Sequence, residues 1–146
     1  MSTPTRSLAL ATLMFSSLMA APAAMAEGDL TTRPERLPDL VLGSEQSDYS
    51  MSVNRYELET GQAYKLKVES TGRKEYAMQA PEFFASIFLR KVEAGDMEIK
   101  AVSLTELEFE REGEAEIYFV PIKPGEYSFY MSGLEHKGME GTFSVR

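Results

Sequence analysis

The sequence predicts an all-β domain, an antiparallel β-sandwich with Greek-key connections and one short helix or irregular turn near residues 81–88. Two observations support this prediction. Short segments of alternating apolar and polar residues recur along the chain, which is typical of half-buried strands. Turn-forming residues separate these segments, as in Lys123-Pro124-Gly125-Glu126, and this spacing of strands and turns favours a sandwich.

The clearest predicted strand is 63–70, where Tyr64, Leu66 and Val68 alternate with charged residues. Glycine-containing turns lie on both sides of it, at 59–62 and 70–73. The remaining predicted strands cover 49–58, 75–80, 88–92, 98–102, 104–109, 115–122, 127–131 and 141–146.

The strand pattern is interrupted after Pro81. Phe83, Phe84, Ile87 and Phe88 recur at helical spacing, and proline is favoured in the first turn of a helix. Phe83 and Phe84 either form an exposed docking patch or pack into the core. We favour the core, because large aromatic side chains are usually buried.

The N-terminal segment predicts export. Arg6 precedes the apolar run Leu8–Met19, and the small residues around Ala26 are typical of a signal-peptidase site. The run is too short to span a membrane, which takes about 20 apolar residues. We therefore expect a signal peptide over 1–26 and a protein of the bacterial periplasm that is not integral to the membrane. An extended leader over 27–46 and one domain over 47–146 are expected to follow.

Composition excludes several classes of protein. The net charge is −8, and it becomes −9 without Arg6, the one charged residue of the predicted signal peptide. Such an acidic domain repels phosphate backbones, so nucleic acid is not an expected partner. The chain has no cysteine, which excludes disulfides, thiol nucleophiles and metal sites that need a thiolate.

The C-terminal phrase "PGEYSFYMSGLEHKGMEGTFSV", residues 124–145, contains the only histidine, His136, between Met131 and Met139. Together with "DYSMSVNRYELETGQAYKLKVES" (48–70) and "EYAMQAPEFF" (75–84), it resembles the cupredoxin family of small copper proteins. The likeness covers nearly all of 49–146, and the C-terminal phrase is its specific part. It implies a Greek-key sandwich with a ligand loop between the last two strands.

In that family an upstream histidine, a cysteine, a second histidine and an axial methionine hold copper. The resemblance implies that the first histidine's place falls at Tyr76 and the cysteine's place at Met131. It implies that the second histidine is His136 and the axial methionine Met139. Because a blue copper centre requires the thiolate, we do not expect blue-copper electron transfer.

Two interpretations of this altered loop stay open. Met131, His136 and Met139, with Met78 as a further thioether, are soft donors that favour Cu(I), so the protein would hold Cu(I) weakly and pass it on. Alternatively Met131 is a buried plug, Tyr76 caps the vacated site, and His136 is solvated. The protein would then be a metal-free module that binds a protein partner, for example in a membrane metal-transport or oxidase complex at the inner membrane.

Other chemistry has less support. Glutamates alternate through "ELEFEREGEAE", residues 106–116, and carboxylates suit hard cations such as iron or Ca²⁺. We prefer to interpret them as the solvent faces of two strands around a turn. With one histidine and neither a nucleophile elbow nor a phosphate loop, catalysis is not expected. The sequence leaves the oligomeric state open.

Overall fold

The computed structural model describes residues 32–146, and the predicted signal peptide over 1–26 lies outside them. The described chain forms two β-sheets that face each other, with one short helix, α1, at Pro81–Phe84. The strands in chain order are β1 (Glu35–Arg36), β2 (Leu40–Leu42), β3 (Arg55–Leu58), β4 (Tyr64–Ser70), β5 (Tyr76–Gln79), β6 (Ile87–Ala94), β7 (Met97–Ile99), β8 (Glu106–Phe109), β9 (Gly113–Pro121), β10 (Gly125–Met131) and β11 (Glu140–Val145).

The first sheet has the order β1-β4-β9-β6-β7, with β2 also paired to β4, and the second has the order β3-β11-β10-β5-β8. The predicted β-sandwich is confirmed. Its sheets are mixed rather than purely antiparallel, because β1 and β2 pair with β4 in parallel and β3 pairs with β11 in parallel. Parallel pairing requires a crossover, and between β2 and β4 the chain visits the second sheet as β3.

Strand β4 shows how the sequence alternation becomes a sheet. Tyr64, Leu66 and Val68 are buried, while the lysines between them lie on the outer face. Leu66 lies opposite Ile117 of β9, which is also buried, so both strands present apolar side chains to the same core.

Helix α1 places aromatic rings between the two sheets. Phe83 and Phe84 are buried, which agrees with the core interpretation rather than an exposed patch. The Phe83 ring stacks on Phe143 of β11 with centroids 3.9 Å apart, and it meets the edge of Phe119 of β9 at 5.3 Å. This ring therefore contacts both sheets and closes the core at α1.

Two predicted strands are shorter than expected. The segment predicted over 49–58 is a strand only at Arg55–Leu58, and its earlier part meets the 39–42 segment through an isolated bridge between Met51 and Leu42 and through Ser52. The Ser52 hydroxyl donates to the Asp39 carbonyl at 2.7 Å and accepts from the Val41 N–H at 2.8 Å. The strand predicted over 98–102 is Met97–Ile99, and its residues are exposed.

Part of the segment predicted as a leader contributes to the sandwich. β1 and β2 extend the first sheet along one edge of β4. Leu37, Leu40 and Leu42 are buried in the common core. Packed structure in the described chain thus begins upstream of residue 47.

No helix within residues 32–146 is long and apolar enough to cross a bilayer.

Replacing Phe83 with alanine tests the role of its ring. Phe83→Ala should lower the free energy of unfolding by about 3–5 kcal/mol, because it removes a large ring that contacts both sheets and leaves a cavity. Urea unfolding followed by circular dichroism measures this change. The matched control Glu82→Ala lies on the same helix at an exposed position and should change stability by less than about 0.5 kcal/mol. Equal effects would contradict the assignment of Phe83 to the core.

Candidate functional site

Two of the predicted metal donors face each other across adjacent strands. Met131, the last residue of β10, is the direct partner of Met78 on β5. Residues opposite each other in an antiparallel pair project to the same face, and both side chains are fully buried. The two thioethers therefore occupy neighbouring positions on the inner face of the second sheet.

The loop after β10 brings a third methionine, Met139, next to Met131. A short 3₁₀ turn at Glu135–Lys137 ends at Gly138, whose positive φ of 83° is readily adopted by glycine. The Met131 N–H then donates to the Met139 carbonyl at 2.9 Å, and the Met139 side chain is also fully buried. The loop end thus holds Met131 and Met139 side by side through the backbone.

His136 differs from the methionines because it lies exposed on the 3₁₀ turn. Within residues 32–146 its imidazole forms no hydrogen bond or ion pair. The neighbouring Lys137 places its Nζ 5.3 Å from the centre of the Tyr49 ring, and Lys74 lies over the same ring at 5.9 Å. These contacts hold the turn against the 48–50 segment.

Tyr76 stands where the resemblance implies the first ligand histidine, and its ring is fully buried on the same face as Met78. Its hydroxyl donates to the Asp48 carbonyl at 2.7 Å. Burial raises the pKa of this hydroxyl, so Tyr76 remains a neutral donor at physiological pH. The side chain satisfies its own polar group and fills the position without offering a metal donor.

The close approach of Gly43 shapes the pocket around Tyr76. Gly43 has a φ of +80°, and a side chain there would overlap the Tyr76 hydroxyl and the Thr71 hydroxyl. Glycine adopts this positive φ readily and has no side chain to overlap these hydroxyls. The turn after β2 can therefore lie directly against the Tyr76 ring.

The alternating glutamates belong to two different sheets. Glu106 and Glu108 are in β8 at the edge of the second sheet, whereas Glu114 and Glu116 are in β9 of the first. The Lys65 ammonium donates to Glu116 at 2.7 Å, and this hydrogen bond lowers the pKa of that carboxyl. Within 32–146 no group of three or more histidine, aspartate or glutamate side chains is placed to hold a metal ion. The placement of these glutamates on two separate strands agrees with their interpretation as solvent-facing residues.

The sequence suggests the four candidate donors, but it does not specify that Met78 pairs with Met131. The alternation of β5 indicated that Tyr76 and Met78 share a face, and the structure shows this. The register between β5 and β10 is a long-range property that a single sequence does not specify. The Asp48 carbonyl as the partner of Tyr76 was also missed, since a backbone acceptor carries no sequence signal.

Several solved multicopper oxidases contain a region similar to this chain. The oxidase of Pseudomonas thermotolerans gives a TM-score of 0.57 at 17% identity, over 84% of this chain and 32% of its own. McoA of Aquifex aeolicus, a 2F4 variant, gives 0.54 at 14% identity, over 76% of this chain and 29% of its own. The oxidase of Campylobacter jejuni gives 0.52 at 13% identity, over 79% and 31%.

The fold is cupredoxin-like. At these identities the likeness shows the fold alone, and the chain spans about a third of the length of each of these oxidases. No protein-family model and no curated protein sequence matches the chain.

Gly43 provides a test of the packed Tyr76 pocket. Gly43→Ala should destabilise the fold by more than Gly61→Ala, although both positions have a positive φ. Gly61 has open space around it, so its alanine variant carries only the backbone cost of about 1–2 kcal/mol. Gly43→Ala carries this backbone cost and also the cost of displacing Tyr76. The difference in thermal unfolding between the two variants measures the cost of displacing Tyr76. Equal losses of stability in the two variants would show that the Tyr76 ring can move without destabilising the fold.

Proposed function

We propose that this protein is an exported cupredoxin-like protein that binds Cu(I) and passes it on, without blue-copper electron transfer and without catalysis. Met78, Met131 and Met139 would hold the ion together with His136. The observation that supports this most directly is the register that makes Met78 the cross-strand partner of Met131, beside the backbone contact between Met131 and Met139.

The chemistry of these donors fits Cu(I). Thioether sulfur and imidazole nitrogen are soft or borderline neutral ligands, and soft ligands select Cu(I) rather than hard cations. The chain has no cysteine, so it lacks the thiolate on which a blue copper centre depends. The resulting function is storage or transfer of the ion, in which its redox state does not change.

The protein's own residues divide this work. His136 is exposed on the turn and would receive copper from solvent or from a donor protein. The three thioethers are buried and would shield the ion from water. Tyr76 supplies no ligand, because its hydroxyl is already engaged with the Asp48 carbonyl. The bound ion would take part in no reaction and would only bind to sulfur and nitrogen. Its release would proceed through the loop that carries His136.

A metal-free module is the second candidate, and the packing of Tyr76 favours it. Its ring and Met131 fill the positions that the resemblance gives to two copper ligands, and both are fully buried. Within the described chain no buried side-chain nitrogen or oxygen lacks a hydrogen-bond partner. In this case the protein would act through binding of a protein partner, and the methionines would be core residues that fill irregular space.

Anaerobic titration with Cu(I) against a chromophoric chelator distinguishes the two candidates. The copper proposal predicts one Cu(I) per chain and at least a tenfold loss of affinity in Met131→Leu, because leucine removes the sulfur while keeping similar volume and packing. Met78→Leu, Met139→Leu and His136→Ala should each weaken binding in the same assay.

Met97→Leu is the matched control, because Met97 is exposed at 64% on β7, outside the methionine group. This variant should bind Cu(I) as the parent protein does. The copper proposal fails if no saturable binding occurs, or if Met97→Leu weakens binding as much as Met131→Leu. Unchanged thermal unfolding of the leucine variants ensures that a lost affinity reflects a lost donor.

A further inference from the structure

An apolar groove lies along the first half of β6, where β7 no longer pairs with it. β7 covers β6 only from Val92 to Ala94, so within residues 32–146 no strand lies beside the edge of β6 before that point. The groove has a volume of about 440 Å³. Its lining consists of Ile87, Phe88, Leu89, Lys100, Ala101 and Val102.

This groove is more apolar than its surroundings on an acidic protein. Phe88 is exposed at 43% and Val102 at 99%, although both are large apolar residues. Lys100 is the one charged residue among the described residues that line the groove, and it pairs with Glu98 at 2.8 Å. Arg90 follows Leu89 on the same strand. Exposed apolar surface with neighbouring cations fits an occupant that carries an apolar side chain and negative charge.

The N-terminal end of the described chain approaches the same strand. The Arg90 guanidinium donates to the Thr32 carbonyl at 2.9 Å, although Glu35 begins β1 at the opposite side of the sheet. Three strand spacings of about 4.8 Å separate β1 from β6, roughly 14 Å. Three residues span about 10 Å, and the long Arg90 side chain covers the remainder. Residues 32–34 therefore cross the first sheet from β1 towards β6.

Val120 supports this path. On β9 the Phe119 side chain belongs to the core between the sheets, so alternation directs Val120 to the other face. Val120 is nevertheless fully buried, and it is the cross-strand partner of Phe88. The outer face of the first sheet is thus covered at Val120, next to Phe88 and the groove.

We propose that the segment immediately before Thr32, residues 27–31 with the sequence "EGDLT", binds in this groove with Leu30 as its apolar contact. Leu30 is two residues from Thr32, which allows a reach of about 7 Å from the point held by Arg90. Glu27 and Asp29 supply negative charge that complements Arg90, whose hydrogen bond goes to the neutral Thr32 carbonyl. The groove is then an internal docking site that ties the N-terminal segment to the free edge of β6.

Disulfide trapping tests this placement cleanly, because the chain has no cysteine of its own. The double variant Leu30→Cys with Val102→Cys, prepared in the protein purified after export, should form an intramolecular disulfide under mild oxidation. The matched control pairs Leu30→Cys with Met97→Cys, an exposed position at the far end of β7. We expect the first pair to close at least tenfold faster, since a disulfide requires Cα atoms within about 7 Å.

Mass spectrometry of non-reduced peptides reports which chains are joined and whether residue 30 is retained. Equal rates for the two pairs overturn the proposal. A 30–102 disulfide between two chains also overturns it and assigns the groove to a second copy of the protein.

Hydrogen exchange supplies a readout that needs no cysteine. Leu30→Ser should speed amide exchange at least tenfold at 87–89 and 100–102, whereas Thr31→Ser should leave it unchanged. Unchanged exchange in Leu30→Ser would show that Leu30 does not occupy the groove.

Discussion

The pairing of β5 with β10 is the constraint on which the candidate site depends. It places Met78 opposite Met131, and it directs the chain from β5 into α1 so that Phe83 reaches Phe143. A shift of β5 by one residue against β10 would turn Met78 to the solvent face while β11 holds Met131 inward, because strand side chains alternate. The chemistry of the loop and the closure of the core therefore rest on the same set of backbone hydrogen bonds.

The absence of cysteine changes what such a loop can do. A cupredoxin-like sandwich with a thiolate can tune a copper redox couple, whereas thioethers and one imidazole offer affinity for Cu(I) without that couple. Met131 is central to both remaining interpretations because a methionine is at once a soft donor and a flexible apolar filler. Its burial fits either role. The two roles differ in whether the Met131 sulfur binds Cu(I), which a measurement of affinity shows and packing does not.

The outer face of the first sheet shows how an acidic protein arranges its charge. The Tyr118 hydroxyl lies within hydrogen-bonding distance of Glu93 at 2.9 Å and Glu116 at 2.8 Å, and the Lys91 ammonium lies 4.5 Å from the centre of the Tyr118 ring. These glutamates therefore have partners on the sheet itself. The apolar groove beside Phe88 lies at the edge of this charged face, just beyond β7, where Lys100 still pairs with Glu98 at 2.8 Å. This contrast distinguishes the groove from the rest of the outer face.

The sequence by itself determined the class of fold, because alternation in segments such as Tyr64–Ser70 and strong turn signals depend only on near neighbours. It also identified the loop that carries His136 and the four candidate donors. It overestimated the strand before Arg55, where Ser52 bonds the backbone through its hydroxyl. Only the tertiary structure decided that Met78 faces Met131, that Tyr76 bonds Asp48, and that β2 joins β4. These contacts join residues far apart in the chain, and their register is set by the packing of two sheets around one core.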